Sequence, residues 1–378
     1  MKKIYAVLLI ANLCQPSFGG IILDAAKAMQ PGEWRELTTI VPASIGGNLG
    51  AMLDACAGGH SITEYADKAV WDPYAKQFAF VGQGHYSCLK YTRYDEASNM
   101  WTAHQPAWAD CWNAPNPCIS HAYEHNEIDP SGIHYYRRHN SGIFTYNKTN
   151  NIWSPLAVPE GVIAQVAGAL TYFPALNGLV SLDSQNGLWL YDLTSKAWRK
   201  LSDNPPMAAY SNFATYNPIH EVMWFGGGSS GSTPNGSRKI YKMDKAGVIT
   251  PLTDAPFGLG TSNGLTMTIT VDPNTGKFLV FRSKDASTSE YPLGLYEYDI
   301  TKDEWSLVSS DLTKVKLYNT RFWAVATPIY EYGIVMFMTS DFGNSKIFLY
   351  KHSPGNGQPL PPPTVNPPPA TPKNLKVK

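Results

Sequence analysis

The chain has 378 residues, and its 30 Lys and Arg are balanced by 30 Asp and Glu. This balance argues against a nucleic-acid partner, because phosphate binding requires a basic surplus on one face. Beyond the first 20 residues, no segment reaches the roughly 20 continuous apolar residues of a membrane span. The 22 Tyr and 11 Trp are a high aromatic content, and the pattern along the chain accounts for most of them.

The N-terminus has the layout of a secretory signal peptide. Lys2 and Lys3 precede an apolar run over 5–14, and the stretch 17–19 offers small residues for cleavage near Gly19 or Gly20. We therefore expect residues 1–19 to be a leader, and the remaining chain to be exported to the periplasm or the extracellular space.

Four times a Tyr is followed seven residues later by a Trp, across a polar segment rich in Asp, Asn, Thr, Ser and Lys. Each such segment predicts a hairpin, with the Tyr ending one strand and the Trp opening the next. Recurrence at this spacing indicates a repeat architecture. The pairs are Tyr94 and Trp101, Tyr146 and Trp153, Tyr191 and Trp198, and Tyr298 and Trp305.

Two further strands are predicted before each Tyr, joined by turns that begin with Asp-Pro or Asn-Pro at 72, 129, 217 and 272. Counting outer strands, including Trp34 and a degenerate member at 248–252, gives six four-stranded units. The first outer strand, around Trp34, has no inner strands before it. The last set of inner strands has no outer strand after it. We therefore predict an all-β, six-bladed propeller over 20–352, closed by residues 33–37 pairing beside 347–350. The expected blades are 60–105, 120–156, 164–201, 208–252, 261–308, and 320–351 with 32–38.

The ring resembles the kelch-type β-propellers, which share the fold of the galactose-oxidase central domain. Their repeat carries a Gly pair after the second strand, then a Tyr and a Trp. The Tyr and Trp match in four blades, and the Gly element matches at Gly82 and Gly84 and at 226–228. Kelch rings serve as binding scaffolds and also as oxidases. The copper oxidases of this fold use a crosslinked Cys and Tyr with His ligands, a set that this sequence does not reproduce, so we expect no cofactor.

Four cysteines remain after the leader: Cys56, Cys88, Cys111 and Cys118. An even, clustered set in an exported chain favours two disulfides over a metal site. The favoured pair is Cys111 with Cys118, because the segment between them is short and rich in turn residues.

The composition changes after the predicted ring. Residues 353–370 are Pro-rich and predict a semi-rigid linker. Residues 371–378 are similar to the opening of a fibronectin type III module. This layout is similar to that of secreted bacterial glycan-handling proteins.

Blade two carries the strongest candidate site. In a propeller, the start of each first strand and the end of each second strand lie on the same face. There blade two places His121, His125 and an Arg137-Arg138-His139 group, where blades one and four carry Gly. Strand alternation would put His121, Tyr123 and His125 on one side and Glu124 on the other. We expect the His side to face the channel, and the whole cluster to be a solvated rim whose truncation changes stability little.

Other blades send polar and aromatic side chains to the same face. If the protein is an enzyme, the expected catalytic residues are His121, His125 and Arg138. The expected ligand-binding residues are His60, Glu64, His85, Tyr123, Arg137, His139, Tyr210, Asn212, Arg282, Arg321 and Trp323. No spacing among the histidines matches a known metal-ligand pattern.

Two function classes follow. Aromatic side chains stack on sugar rings, and Arg guanidinium groups form bidentate hydrogen bonds with carboxylates or sulfates. The first class is therefore a monomeric module that binds an anionic polysaccharide. The alternative is a lyase for uronic-acid polymers, with Arg138 neutralising the carboxylate and His121 or His125 taking the proton. Hydrolysis by Glu64, Asp67, Glu124 or Glu127 has no diagnostic spacing. A ring that binds protein partners is a further option.

Overall fold

The computed structural model describes residues 20–54, 61–83, 89–106, 121–138, 142–160, 162–163, 167–203, 205–229, 236–260, 267–282, 293–312, 323–340 and 345–358. The six-bladed propeller is confirmed: these residues form six antiparallel sheets of four strands each. Before the ring come helix α1 (Ile21–Ala28), strand β1 (Glu33–Glu36) and helix α2 (Leu49–Leu53). Neither helix was predicted from the sequence.

Blades one to five contribute their strands in chain order from the centre outward, and blade six does so for its three inner strands. Blade one has β2 (Val70–Asp72), β3 (Gln77–Gly82), β4 (Lys90–Asp95) and β5 (Met100–His104), and blade two has β6 (Asn126–Ile128), β7 (His134–Arg138), β8 (Gly142–Asn147) and β9 (Ile152–Leu156). Blade three has β10 (Ala169–Phe173), β11 (Gly178–Asp183), β12 (Gly187–Asp192) and β13 (Ala197–Ser202), and blade four has β14 (Tyr210–Asn217), β15 (Val222–Ser229), β16 (Ile240–Met243) and β17 (Ile249–Pro251). Blade five has β18 (Met267–Val271), β19 (Phe278–Arg282), β20 (Gly294–Asp299) and β21 (Glu304–Ser309), and blade six has β22 (Trp323–Ile329), β23 (Ile334–Ser340) and β24 (Lys346–Lys351).

The predicted closure is confirmed. Strand β1 is the outer strand of blade six, with Trp34 opposite Tyr350 and Glu36 opposite Phe348. The Trp34 ring stacks on Tyr350 with a centroid distance of 4.2 Å, and it also contacts Phe281 of blade five. This aromatic packing holds the N-terminal strand against a blade made by the far end of the chain.

The predicted hairpins are also confirmed. Tyr94 lies opposite Trp101, and the other three Tyr–Trp pairs are likewise cross-strand partners. The Asp-Pro turns form for the expected reason, since Asp72 Oδ1 accepts the backbone N–H groups of Tyr74 and Ala75 at 2.9 Å.

The two faces of the ring differ. The turns between first and second strands and between third and fourth strands lie on one face, which we call the turn face. On the opposite face each first strand begins and each second strand ends, and we call it the start face. Side chains also connect blades: Asn126 of blade two pairs with both backbone groups of Val81 in blade one, at 2.8 and 3.0 Å.

The inner strands approach one another closely where they reach the start face. Parallel bridges join Ala66 to Tyr123, and Glu124 to Ala169. Lys68 of blade one donates to Glu127 Oε2 at 2.6 Å and to the Leu170 carbonyl at 2.9 Å. Blades one, two and three are therefore tied together directly beside the ring axis.

No helix among the described residues is long and apolar enough to cross a membrane. The predicted leader at 1–19 and the Pro-rich linker beyond Gln358 lie outside the described residues, as do Cys56, Cys88, Cys111 and Cys118. The disulfide prediction is therefore left as a prediction.

Candidate functional site

The start face carries every predicted site residue that the structure describes. Those are Glu64, His121, Tyr123, His125, Arg137, Arg138, Tyr210, Asn212 and Arg282, and Trp323 is described only as the first residue of β22. His60, His85, His139 and Arg321 lie outside the described residues.

The first strand of blade two is shorter than predicted. It begins at Asn126. The residues just before it form a turn, because the backbone N–H of His125 donates to the Ala122 carbonyl at 2.8 Å. Tyr123 has a φ of 27°. The expected alternation of His121, Tyr123 and His125 against Glu124 therefore does not apply, because alternation requires an extended strand.

The aromatic side chains around this turn nevertheless form a continuous row. Tyr65 lies 4.3 Å from His121, His121 lies 5.3 Å from Tyr123, and Tyr123 lies 5.5 Å from His125, measured between ring centroids. Tyr136 of β7 follows at 6.1 Å from His125. We call Tyr65, His121, Tyr123, His125 and Tyr136 the aromatic row.

The cluster of blade two is not a solvated rim, which corrects the expectation from the sequence: His121 and His125 are 5% and 0% exposed, and Arg137 is buried with them. The Arg137 side chain is 0% exposed, and Nη2 forms an ion pair with Asp183 Oδ2 at 3.1 Å. Nη1 lies 3.2 Å from His125 Nε2, and a Cβ at Gly168 would overlap the guanidinium. Burial lowers the pKa of Arg137 to about 10 against the opposing charge of Asp183, so the guanidinium stays charged at neutral pH. Arg137 thus locks blade two to blade three and orients His125.

The other cations and the amide of this face are buried too. Arg138 ends β7 and is 9% exposed, and burial lowers its pKa. Arg282 holds the equivalent position in blade five, where its guanidinium carbon lies 4.7 Å from the centre of the Phe257 ring. Asn212 donates to the carbonyls of Ala208 and Gly227 at 2.9 and 3.3 Å. Arg282 and Asn212 therefore serve packing within and between blades.

Backbone strain is concentrated beside the aromatic row. Tyr65 has a φ of 54°, Tyr123 of 27° and Ser211 of 59°, and each precedes or opens a first strand on the start face. The other described non-glycine residues with positive φ lie in turns of the opposite face. A bulky residue in this left-handed region is a genuine outlier, and such strain costs of order 1–3 kcal/mol and is concentrated at functional sites.

Tyr210 is the exposed aromatic side chain of this region. It is 50% exposed and precedes the strained Ser211, where β14 begins on the start face. Burial raises the pKa of Tyr123, and the Tyr65 and Tyr210 hydroxyls contribute to that shift. The rings of Tyr65 and Tyr123 lie 6.4 Å apart between centroids, and Tyr210 of blade four lies on the same face; we call these three residues the tyrosine group.

Glu124 is the unusual carboxyl of the site. It is 1% exposed, and neither carboxyl oxygen has a hydrogen-bond partner among the described residues. Burial raises its pKa well above the ordinary value, with Asp67 and Glu127 adding to the shift and Lys68 opposing it. Burial therefore favours the protonated form of the Glu124 carboxyl.

Sequence reasoning missed two residues of this region. Tyr65 was not singled out, although it precedes the first strand of blade one much as Tyr123 precedes that of blade two. Asp183 was not recognised as the partner of Arg137, because it lies in another blade at the end of β11. Across the described part of the chain, no group of three or more His, Cys, Asp or Glu residues could hold a metal ion.

Comparison with known proteins defines the fold and nothing finer. No protein-family model matches the chain, and no curated protein matches its sequence. A protein of unknown function from Bacteroides thetaiotaomicron has a similar structure, with a TM-score of 0.51 and 12% identity over 84% of this chain and 76% of that one. AofleA from Arthrobotrys oligospora superposes with a TM-score of 0.43 and 9% identity, over 76% of this chain and 86% of that one. At 12% identity the likeness to the Bacteroides protein shows the fold alone.

Proposed function

We propose that the protein binds a polysaccharide on its start face, with the half-exposed Tyr210 of the tyrosine group as the stacking residue. The observation that carries this proposal is that two tyrosines with strained backbones, Tyr65 and Tyr123, lie on the same face as the half-exposed Tyr210. Strain of this kind persists only where the surrounding structure enforces it, and aromatic faces are the surfaces on which sugar rings stack.

We further propose that the glycan is anionic. Arg138 ends β7 next to Tyr136 and the aromatic row and, unlike Arg137, keeps part of its surface, 9%, exposed; its guanidinium suits two-point contact with a carboxylate or sulfate. Arg137 is excluded from ligand contact because its side chain is fully buried against Asp183. Binding is favoured over the lyase reaction because the two histidines considered as its base, His121 and His125, are only 5% and 0% exposed.

The test is a titration of the purified protein with alginate, pectin, ulvan and glycosaminoglycans, and with a neutral glucan for comparison. We expect Tyr210→Ala to weaken binding by roughly tenfold or more, equivalent to about 1.4 kcal/mol of lost contact. Tyr74→Ala is the matched control, because Tyr74 is 60% exposed in a turn of the opposite face. Equal affinities for wild type and Tyr210→Ala would refute the site.

The same samples test the alternative. A lyase would generate absorbance in the unsaturated-uronate band during incubation with uronic-acid polymers, whereas a binding module would not. If absorbance appears, His121 and Arg138 become the residues to vary first, with binding measured in parallel.

We also propose that the chain is exported, and that the ring is a kelch-type propeller. Export rests on the leader-like residues 1–19 and on the clustered cysteines. The kelch assignment rests on the four Tyr–Trp cross-strand pairs and on Gly226, Gly227 and Gly228, which all have positive φ at the end of β15.

A further inference from the structure

Glu96 lies where the leading helix meets the ring on the turn face. It is 3% exposed, and Oε1 accepts the backbone N–H groups of Ile22 and Leu23 at 3.0 Å each. Oε2 accepts the Tyr332 hydroxyl at 2.8 Å. One carboxylate therefore joins the first turn of α1 to blade one and to blade six.

The described part of the chain shows no ion pair to the Glu96 carboxylate: Lys76, whose Nζ lies 5.3 Å from the centre of the Tyr332 ring, pairs with Glu331. The three groups that donate to the Glu96 carboxylate are neutral. A buried carboxylate usually requires a partner of opposite charge. The positive end of α1 supplies some of the compensation, but a single helix terminus offers only about half an elementary charge.

Gly20, the N-cap of α1, lies against this carboxylate. A Cβ added to Gly20 would overlap the Glu96 carboxyl group, which three hydrogen bonds hold in place. The amino nitrogen of Gly20 is bonded to the same Cα and therefore lies within about 4–5 Å of the carboxylate by covalent geometry. An ammonium group at that distance from a carboxylate forms a close ion pair.

We propose that removal of the leader at the Gly19–Gly20 bond creates this ammonium group, and that it becomes the counter-ion of Glu96. A signal peptidase hydrolyses the peptide bond: the hydroxyl of water adds to the carbonyl carbon of Gly19, which becomes a carboxylate. The released Gly20 amine takes up a proton. Processing then strengthens the contact that holds α1 across blades one and six. This inference rests on export and is independent of what the start face binds.

The C-terminal end of α1 is held by β1 and β24, the two strands whose pairing closes the ring. Arg35 of β1 donates to the Ala25 carbonyl at 3.3 Å, and Lys351 of β24 donates to the Ala26 carbonyl at 3.2 Å. Both cations suit the negative end of the helix. The helix thus bridges the strands that close the ring, and a stronger N-terminal contact stabilises the closure.

The sign of the effect is diagnostic. A lone ammonium group at a helix N-terminus opposes the helix dipole and should be unfavourable. Next to Glu96 it should be favourable, because the carboxylate outweighs the partial charge of the helix. Replacing Glu96 by glutamine should therefore remove the benefit of a free amine or reverse it.

The first measurement is the N-terminal sequence of the exported protein, which we expect to begin at Gly20. The second compares the melting temperature of the chain starting at Gly20 with that of its N-acetylated form, in wild type and in Glu96→Gln. We expect acetylation to lower the wild-type melting temperature by roughly 2–4 °C and to leave the glutamine variant unchanged or slightly raised.

A pH series provides a check that does not depend on the variant folding well. Pairing with Glu96 raises the pKa of the Gly20 amine above its ordinary value of about 8, so its contribution is full below that value and is lost as pH rises through the raised value. The acetylated form should lack this alkaline loss. A mature chain starting elsewhere, or equal melting temperatures with and without acetylation in wild type, would overturn the proposal.

Discussion

The buried ion pair between Arg137 and Asp183 allows a quantitative test of the site. Both side chains are fully buried, and the two atoms lie 3.1 Å apart across the boundary between blades two and three. Removing one partner leaves an uncompensated charge in the interior, which typically costs about 3–5 kcal/mol. We therefore expect Arg137→Met and Asp183→Asn each to lower the free energy of unfolding by about that amount.

The double variant sharpens the test. Replacing both partners removes both charges at once, so its loss should be smaller than the sum of the two single losses. The asparagine side chain introduced by Asp183→Asn can still accept the Gln185 backbone N–H that Asp183 Oδ1 accepts at 2.9 Å, so the turn after β11 is retained. The assay is urea unfolding followed by tryptophan fluorescence, analysed as a double-mutant cycle.

The exposed pair Lys239–Asp254 in blade four is the matched control. Its atoms lie 2.9 Å apart, with side chains 56% and 41% exposed. Exposed pairs contribute at most about 1 kcal/mol, so Lys239→Met and Asp254→Asn should have small effects. A loss below about 1 kcal/mol for Arg137→Met, comparable to the control, would refute the view that Arg137 is a structural lock.

Two further predictions concern ionisation and redox state. Because the pKa of Glu124 is raised in the folded chain, the folded state keeps its proton where the unfolded chain has lost it. Stability should therefore fall as pH rises from the ordinary glutamate value through the raised one, by up to about 1.4 kcal/mol per pH unit. Glu124→Gln should abolish that slope and exceed wild type in stability at neutral pH, and parallel pH profiles of the two proteins would contradict it. Thiol titration of the denatured, unreduced mature protein should find no free thiol among Cys56, Cys88, Cys111 and Cys118; two or more free groups per chain would rule out the disulfides, each expected to contribute about 2–4 kcal/mol.

The ring was predictable because its determinants are local. The Tyr–Trp hairpins and the Asp-Pro turns each depend on residues close in sequence, and the unmatched strand around Trp34 required a partner at the far end of the chain. The candidate site was predicted only in outline. The sequence located His121, Tyr123 and Arg138 on the start face, where the structure has them.

The burial of Arg137 could not be predicted, because it depends on where Asp183 of the next blade arrives. The turn at His125 also depends on other blades. Bridges join Tyr123 to Ala66 of blade one and Glu124 to Ala169 of blade three, where a longer extended strand was expected. These contacts form between blades, and strand periodicity within one blade carries no information about them. Local patterns therefore determined each hairpin but not the packing of one blade on the next.

Both ends of the described chain lie on the turn face, opposite the candidate site. Their position determines which face of the ring stays accessible when the protein is attached to a surface. Asn274 donates to the Gly333 and Ser353 carbonyls at 3.0 and 3.3 Å, and Gln358 donates to the Tyr330 carbonyl at 2.8 Å. Anything joined after Gln358 therefore starts on the side of the ring opposite Tyr210. A ring immobilised through its C-terminus would leave the tyrosine group open to a long polymer, and several such rings on one support could engage the same strand with the avidity of a multivalent array.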